Sequence, residues 1–483
     1  MPVDAKLTGM SLHSHGVGQQ KSSLVLEAAQ RAAAYIESSR ERGVFPTEEA
    51  LADLKSFPRE LRDGPVPAGE VLAMLDELGS PATVAATGGR YFGFVNGGTD
   101  PAAAAAAVLA GAWDQNAALP VMSPTAALLD EIAARWCLQL LGLPETVVAA
   151  FCSGATIANL TCIVAARDAL LRRAGWDLDR YGLAGSPPLR VVASEEIHAS
   201  VSKALRAAGI GTAQVASAPT DDRGRVLVER FPPVDDLTLV LLQAGNVNTG
   251  HSDPFGALIP MVHSKGGWVH VDGAFGLWAG ASPSQRHLVE GVDLADSWAS
   301  DGHKWLNTPY DCGIVICRDP ENLRRTMAFQ AAYLDGDARR VASELGLQMS
   351  QRARGVEVWA VLASRGRAGV AEMIDRSCGH AARMADMLEA AGAQILAPQA
   401  LNQVLVRFDD DETTDAVLAA VQEDRTCWAG GTVWRGRRAM RISVCDDSTT
   451  ADDITAAAQA IIRCWKRRGD APALSTRSDH AHE

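Results

Sequence analysis

Apolar side chains recur every three or four residues in three stretches of the chain, a spacing typical of amphipathic helices. A further apolar stretch, Pro101–Trp113, is rich in alanine. It is too short to span a bilayer, so it predicts a buried helix. The apolar positions of the three amphipathic helices are Leu24, Ala28, Ala32 and Ile36 in the first, Val71, Leu75 and Leu78 in the second, and Leu128, Leu129, Ile132, Trp136 and Leu140 in the third, over residues 121–143.

Beyond residue 147 the pattern changes to short apolar runs, each followed by a polar or glycine-bearing turn and often by a helix. Runs of this kind are typical of strands buried on both faces, so they predict a mainly parallel sheet between helices. Ligands of such sheets bind beyond the carboxyl ends of the strands, which directs attention to the residues after each run. The runs are Val147–Phe151, Leu189–Ala193, Leu237–Leu242, Gly267–Val271 and Gly313–Cys317.

The last part of the chain has a different organisation. After about residue 355 the pattern is helical again, and shorter strands are then predicted at Val404–Phe408 and Met440–Val444. This predicts a second, smaller α+β domain. The polar segment 467–483 has too few apolar residues for a core and is predicted to be disordered.

Composition and charge narrow the functional classes. A chain of 483 residues exceeds one compact core, so two or three domains are expected. The hydrophobic fraction of 47% and charged fraction of 21% are those of a globular protein without membrane spans. The formal net charge of −13 argues against nucleic acid or an anionic membrane as a partner.

The cysteines indicate the compartment. There are nine, an odd number, and none forms a CxxC pair. This usage is typical of reduced thiols in the cytoplasm, where we expect the protein to reside. The first residues also lack the apolar core of a signal peptide.

Small residues follow the first predicted strand. The sequence Cys152–Thr156 precedes a helix predicted over residues 157–171. Backbone N–H groups, two hydroxyl groups and the positive end of a helix dipole would suit a phosphate group there. The simpler interpretation is a helix cap within a tight turn. The spacing matches neither the dinucleotide-binding nor the P-loop motif.

Polar groups also follow the next three strands. His198 comes after the second run and could either cap a helix or stack on a flat ring. The loop 245–254 after the third run could satisfy its own backbone or contact a ligand. Asp272 ends the fourth run, where a buried carboxylate needs a cation or hydrogen bonds. Its partner could be a structural cation or a protonated ring nitrogen.

Lys304 lies between His303 and Trp305, just before the run 313–317. A desolvated lysine in this setting is expected to be a good amine nucleophile, able to form a Schiff base. Pyridoxal phosphate requires a phosphate anchor, a ring-stacking group, a partner for its pyridinium nitrogen and an aldimine lysine. The chain supplies candidates for all four in order, so the pattern favours this cofactor.

Several motifs resemble the pyridoxal-phosphate-dependent group II amino-acid decarboxylases, the family of aromatic-amino-acid, histidine and glutamate decarboxylases. The similarity extends over most of the chain. The motifs that carry it are YFGFVNGG (91–98), SPTAALLDEIAARWCLQLLGLP (123–144), CSGAT (152–156), EEIHASVSKALRAAG (195–209), VHVDGAF (269–275), SWASDGHKWLNTPYDCG (297–313) and GGTVWRGRRAMRISV (430–444).

The resemblance implies the α/β fold of type I pyridoxal-phosphate enzymes, with a mainly parallel seven-stranded sheet, and a homodimer with active sites at its interface. The implied parts are an N-terminal helical segment that clasps the partner (1–85), a large cofactor-binding domain (86–355) and a small C-terminal α+β domain (356–466). The implied activity is decarboxylation of an L-amino acid to the amine and CO₂ through a Schiff base on Lys304. No metal, nucleic acid or membrane takes part.

The resemblance also assigns roles to residues of this chain. Lys304, His198 and Asp272 would be catalytic, with His198 stacked over the cofactor ring and Asp272 against its pyridinium nitrogen. Ala274 would lie near the other face of the ring. The full set of residues expected to bind the cofactor is Ser153, Gly154, Ala155, Thr156, His198, Asn248, Asp272, Ala274, Ser300, His303 and Lys304.

The sequence departs from the family in one segment. In these decarboxylases a mobile loop carries a tyrosine that returns a proton to the α-carbon of the substrate. The corresponding segment here, residues 335–351, contains no tyrosine, phenylalanine or histidine, and Tyr333 fits only the start of the loop. Transamination, aldehyde-forming oxidative deamination and aldolase or lyase chemistry therefore stay open as alternatives.

Two hypotheses from other classes also stay open. A metal-dependent hydrolase would use some of the histidines and aspartates, although none has a spacing such as HExxH. A non-catalytic binding protein on the same fold is the other, because fold does not determine function.

The sequence does not identify the substrate. Tyr91, Phe92 and Phe94 would suit an apolar or aromatic side chain, and Asn96 a small polar one.

Overall fold

The computed structural model describes residues 8–328 and 341–469. The predicted tail and the first half of the segment 335–351 fall largely outside these ranges, as does Tyr333. The helices are α1 Thr8–Ser39, α2 Glu48–Asp53, α3 Ala68–Met74, α4 Pro101–Trp113, α5 Pro124–Leu141, α6 Ala155–Arg173, α7 Leu178–Tyr181, α8 Ala199–Ala207, α9 Phe255–His263, α10 Pro320–Met327, α11 Arg354–Ala390, α12 Asp411–Asp424 and α13 Ala451–Gly469.

A seven-stranded sheet forms the centre of the larger part of the fold. Its spatial order is β1-β7-β6-β5-β4-β2-β3. Strand β7 runs antiparallel to both of its neighbours, and the other pairs are parallel. The predicted mainly parallel sheet is therefore confirmed. Its strands are β1 Val148–Cys152, β2 Arg190–Ser194, β3 Val215–Ala218, β4 Thr238–Gln243, β5 Trp268–Asp272, β6 Ser297–Asp301 and β7 Gly313–Cys317.

Helices cover both faces of this sheet. Apolar side chains from α5, α9 and the first half of α11 pack on one face, and side chains from α6 and α8 pack on the other. This two-sided burial explains why five strands could be predicted as continuous apolar runs. Strand β6 has the sequence SWASD, and all five residues are buried although three are polar. Apolar runs alone did not predict it, and the short β3 was missed as well.

A second sheet lies in the C-terminal part of the chain. Its four strands are antiparallel, in the order β10-β11-β9-β8. Helices α12, α13 and the second half of α11 share a core with it. Helix α11 is interrupted at Gly366, whose φ of 59° is left-handed. The strands are β8 Gln394–Ile395, β9 Gln403–Arg407, β10 Gly430–Trp434 and β11 Arg437–Ser443.

Helix α4 has the predicted bounds but not the predicted burial. Asp100 caps it by accepting the N–H groups of Ala102 and Ala103. Ala103 is its buried residue, whereas Leu109 is 55% exposed and Trp113 is 42% exposed. The expectation of a buried helix is therefore wrong for the single chain, because one apolar face of α4 has no cover within it. Within the described ranges, no helix is long and apolar enough to cross a membrane.

Candidate active site

A cavity of about 230 Å³ opens at the carboxyl ends of the parallel strands β4 and β5. Three of the side chains that line it, His198, Asp272 and Lys304, were predicted as catalytic. Ala274 also lines the cavity. The structure therefore brings together residues from three distant parts of the sequence, because each part lies at or just after the end of a strand at the same edge of the sheet.

Asp272 ends β5 and is buried. Its Oδ1 accepts the N–H of Ala274 at 3.2 Å. Burial raises the pKa of this carboxyl group, and the nearby Lys304 and His198 partly oppose that effect. Among the described residues, no cation lies within ion-pair distance of Asp272. A buried carboxylate in this state is stabilised by a cationic partner entering the cavity.

Lys304 lies in the turn that follows β6. Its Nζ is 3.2 Å from Oδ2 of Asp301, the last residue of that strand. The other oxygen of Asp301 accepts the N–H of Ala155 at 2.6 Å. Since Ala155 is the first residue of α6, the same carboxylate connects the lysine to the positive end of that helix.

The turn from residue 302 to residue 312 is fixed around His303. The Nδ1 of His303 accepts the N–H of Cys312 at 3.1 Å, so a neutral ring carries its proton on Nε2. Burial lowers the pKa of this imidazole, which favours the neutral ring. Tyr310 packs against the ring with 4.4 Å between centroids, and its hydroxyl donates to Oδ1 of Asn96 at 2.9 Å. Trp305 is fully buried behind the lysine.

His198 caps a helix, as one interpretation of the sequence predicted, and its stacking on a cofactor ring stays a prediction. It caps α8 through Nδ1, which accepts the N–H of Ser200 at 3.3 Å, and its ring also lines the cavity. Burial lowers the pKa of His198, and the carboxylate of Asp272 partly offsets this effect. The Ser200 contact places the proton of the neutral ring on Nε2.

The segment predicted to bind phosphate lies at the start of α6. Gly154 directly precedes the helix, with a φ of 158°. The backbone of Gly313 is so close that a Cβ on Gly313 would lie 2.4 Å from Gly154 atoms. The flanking Ser153 and Thr156 are half-buried. Ser300 is fully buried, and its hydroxyl donates to the carbonyl of Gly273 at 3.0 Å. Phosphate contacts by these residues stay a prediction.

Asn248 lies in the loop after β4. It is buried, and its Oδ1 accepts a hydrogen bond from the Thr432 hydroxyl at 3.1 Å. Its loop neighbours Gly245 and Val247 line the cavity. The loop after β4 therefore reaches the site, whereas the predicted contact between Asn248 and the cofactor remains a prediction.

Sequence reasoning missed Arg441 and Gln243, which also line the cavity. Arg441 is on β11, and burial lowers the pKa of its guanidinium group. Among the described residues, no carboxylate or other hydrogen-bond acceptor contacts it. The Nε2 of Gln243 donates to the carbonyl of Glu196 at 3.1 Å. The sequence alone does not show which side of the β10–β11 hairpin faces the cavity.

The metal hypothesis finds no geometric support in the described part of the chain. Within residues 8–328 and 341–469, no three His, Cys, Asp or Glu side chains are grouped so that they could hold a metal ion. His270 lies instead in the core, where Nε2 donates to Oδ1 of Asn159 at 2.8 Å and Nδ1 accepts from the Ser297 hydroxyl at 3.0 Å.

A comparison with protein families identifies the group to which this site belongs. The family described as "Pyridoxal-dependent decarboxylase conserved domain" matches residues 80–409, which include every residue assigned above except Arg441 and Thr432. The chain belongs to this family. Its cofactor is pyridoxal phosphate, and the resemblance stated from the sequence motifs is confirmed.

Individual members of the pyridoxal-dependent decarboxylase family align with parts of the chain. The aromatic-L-amino-acid decarboxylase of Bacillus atrophaeus is 28% identical over 58% of this chain and 60% of that enzyme. The cysteine sulfinic acid decarboxylase of Rattus norvegicus is 29% identical over 60% of each chain. These alignments thus span less than two thirds of the relatives' length, and the two relatives are named for different substrates.

A solved structure supports the fold over nearly the full chain. The crystal structure of Oryza sativa TDC with PLP and tryptamine superposes with a TM-score of 0.85, at 22% identity, over 96% of this chain and 100% of that one. The predicted type I pyridoxal-phosphate fold is therefore confirmed.

The donor set in the cavity fits pyridoxal phosphate. Asp272 is a buried carboxylate without a cationic partner among the described residues, which suits a protonated pyridine nitrogen. Lys304 supplies an amine in the same cavity. His198 and Ala274 line the same cavity as Asp272 and Lys304. The N-terminus of α6 suits an anion such as the phosphate group of the cofactor.

Proposed function

We propose that the chain is a pyridoxal-phosphate-dependent carboxy-lyase that converts an L-amino acid to its amine and CO₂, with Lys304 holding the cofactor through a Schiff base. One observation carries the proposal. A buried carboxylate, an amine and a guanidinium group without a counter-charge in the described residues line a single cavity, as Asp272, Lys304 and Arg441.

The bound cofactor supplies an electron sink for the bond that breaks at the α-carbon. Asp272 maintains that sink, because its carboxylate holds a proton on the pyridine nitrogen in a place where water cannot stabilise the charge. His198, which lines the same cavity, would cover one face of the bound ring. Ala274, which has a minimal side chain, would leave room at the opposite face.

Arg441 is proposed to bind a carboxylate of the substrate. Its guanidinium is half-buried, and burial lowers its pKa, so the charged form gains from an anionic partner. Binding on one side of the α-carbon decides which bond lies perpendicular to the cofactor ring, and that bond is the one that breaks. Arg441 thereby acts on the choice of reaction as well as on affinity.

Decarboxylation ends when the α-carbon receives a proton. Two groups that line the cavity can carry one, the amine of Lys304 and Nε2 of His198. The segment 335–351 contains no tyrosine or histidine that could do so. This absence supports a second candidate, in which dioxygen is the two-electron oxidant and the amino acid, O₂ and water give an aldehyde, CO₂, ammonia and hydrogen peroxide. Aminotransferase and aldolase or lyase reactions are the further alternatives.

Product analysis tests the proposal. The purified protein is supplied with pyridoxal phosphate and incubated with a panel of L-amino acids, and CO₂, amine, aldehyde, peroxide and keto acid are each measured. Decarboxylation gives CO₂ and amine in equal amounts. Peroxide with aldehyde would replace the first candidate by the second, and a keto acid would indicate transamination.

Lys304→Ala provides the control for the covalent link. It should give no product with any member of the panel, and borohydride should attach no cofactor to it. Turnover by Lys304→Ala, or borohydride labelling at another lysine, would contradict the assignment of Lys304.

We also propose that the protein is a homodimer in the cytoplasm, with residues 1–85 clasping the partner and 86–355 and 356–466 forming the two domains. Several large apolar side chains are exposed in the single chain, including Val121 at 82% and Phe94 at 62%. Phe94 lines the cavity, so a second copy covering this residue would also close the site. All nine cysteines are free and buried, which suits a reducing compartment.

A further inference from the structure

Asn307 lies three residues after Lys304 and has no role in the assignments above. It is fully buried, with a left-handed φ of 55° that asparagine tolerates better than most residues. Its own N–H donates to the carbonyl of Lys304 at 3.2 Å, which closes the turn that carries the lysine. The residue is therefore part of the turn and not a distant support.

The side chain of Asn307 connects this turn to two other segments. Its Oδ1 accepts the N–H of Gly98 at 2.7 Å and the N–H of Asp447 at 3.0 Å. Its Nδ2 donates to the carbonyl of Trp305 at 2.9 Å and to the carbonyl of Cys445 at 3.1 Å. Four hydrogen bonds thus join one carboxamide to backbone groups, whose positions cannot adjust by side-chain rotation.

The segment before α4 holds the turn from the other side. The carbonyl of Asn307 accepts the N–H of Asp100 at 2.7 Å. A Cβ on Gly97 would lie 1.9 Å from the carbonyl oxygen of Lys304, so only glycine allows this approach. Arg365 bonds both Asp100 and Asp447, which closes the network through a second route.

Cys445 and Asp447 follow β11, the strand that carries Arg441. We propose that Asn307 is a positioning residue that fixes the turn of Lys304 relative to the strand of Arg441. The inference rests on the proposed function, in which Lys304 holds the cofactor and Arg441 binds a substrate carboxylate. It adds that the separation of those two groups depends on one buried carboxamide.

The variant Asn307→Gly tests the inference, because glycine keeps the left-handed backbone and removes the four side-chain bonds. Asn322→Ala is the matched control. Asn322 is also buried, accepts from Nη1 of Arg172 at 2.9 Å and donates to the carbonyl of Ala165 at 3.1 Å. It lies in α10 after β7, at the edge of the sheet opposite the cavity.

Pyridoxal phosphate itself is the first probe. Its dissociation constant is measured by absorbance for each variant, next to the thermal midpoint of the protein without cofactor. Asn307→Gly should weaken cofactor binding by roughly tenfold or more, whereas Asn322→Ala should lower the midpoint without this loss. Equal cofactor affinities in the two variants would overturn the inference. Asn307→Asp turns a buried carboxylate oxygen toward the carbonyls of Trp305 and Cys445, so it should weaken cofactor binding at least as much as Asn307→Gly.

A second measurement addresses the link to Arg441. The amino acid that most changes the absorbance of the bound cofactor is chosen from the panel. Its affinity is compared with that of the corresponding amine, which lacks the carboxylate. Asn307→Gly should lower the affinity for the amino acid relative to the affinity for the amine, and Arg441→Gln should do the same. An unchanged ratio of the two affinities in Asn307→Gly would show that Asn307 and Arg441 are not coupled. Cofactor affinity is measured without turnover, so a failure of decarboxylation would refute the proposed function alone.

Discussion

The carboxylate of Asp301 joins Lys304 to the start of a helix: Oδ2 lies 3.2 Å from Nζ of Lys304, and Oδ1 accepts the N–H of Ala155 at 2.6 Å. Both contacts are made by a side chain that is only 2% exposed. The position of Lys304 is therefore tied to the segment 153–156, where the cofactor phosphate is expected.

The two contacts of Asp301 can be separated by substitution. Asp301→Ala leaves the buried N–H of Ala155 without an acceptor and should reduce the free energy of unfolding by about 1–3 kcal/mol. Asp301→Asn keeps an oxygen for that N–H and should recover most of the loss. Denaturant unfolding of both variants without cofactor measures the difference, and equal losses would contradict the helix contact.

The ionised carboxylate of Asp272 should lower the stability of the folded protein when the cofactor is absent. It should raise that stability when the cofactor is bound. Burial raises the pKa of Asp272, so its ionised form at neutral pH costs free energy until a cation enters the cavity. Asp272→Asn should therefore raise the thermal midpoint of the cofactor-free protein by a few degrees. Pyridoxal phosphate should then raise the midpoint less in this variant than in the unaltered protein. A larger cofactor-induced rise in the variant would exclude Asp272 as the partner of the ring nitrogen.

Arg441→Gln should weaken the binding of the substrate more than the binding of the cofactor. Loss of a charge-assisted contact costs about 1.5–3 kcal/mol, which corresponds to a fall of roughly 10- to 150-fold in kcat/KM. Cofactor affinity, measured by absorbance, should stay within about twofold. Arg438→Gln on the same strand is the control, since Arg438 pairs with Asp415 outside the cavity. The same fall in both variants would rule out a specific contact with the substrate.

His270 should make the fold sensitive to acid. Burial lowers the pKa of His270 to about 3, whereas an unfolded histidine binds a proton near pH 6.5. The unfolded state therefore binds more protons between these values, and stability is lost as pH falls through this range. At pH 5 the loss is about 2 kcal/mol relative to pH 7.

Unfolding midpoints from pH 7 to pH 5 check this expectation. His270→Gln stays neutral and can still donate to Asn159, so its stability should depend less on pH. The exposed His287 provides a control, and His287→Gln should retain the slope of the unaltered protein. If His270→Gln kept that slope as well, another group would be responsible.

Residues that follow apolar strands could be predicted to meet, and residues on amphipathic or polar strands could not. His198 follows β2 and Asp272 ends β5, and both strands were predicted as apolar runs. Lys304 instead follows β6, a strand with three polar residues, and was located only by its place just before the run 313–317. Arg441 is within β11, where alternate residues face opposite sides, so its direction depends on how the small sheet packs on the large one. Nor does the sequence indicate that Asn307 is buried, because three of its four partners, Gly98, Cys445 and Asp447, come from segments that meet it only in the folded chain.

Gly366 bends helix α11, which takes part in the cores of both sheets. The helix packs with the core of the large sheet on both sides of this residue, as far as Cys378, and with the core of the small sheet from Ala381 onward. No atom lies within 4 Å of the place where a Cβ would be, so space alone would admit a side chain. The requirement for glycine is therefore conformational. A single backbone pivot thus bends a helix that is shared by two cores, and the smaller of these cores includes the sheet that carries Arg441.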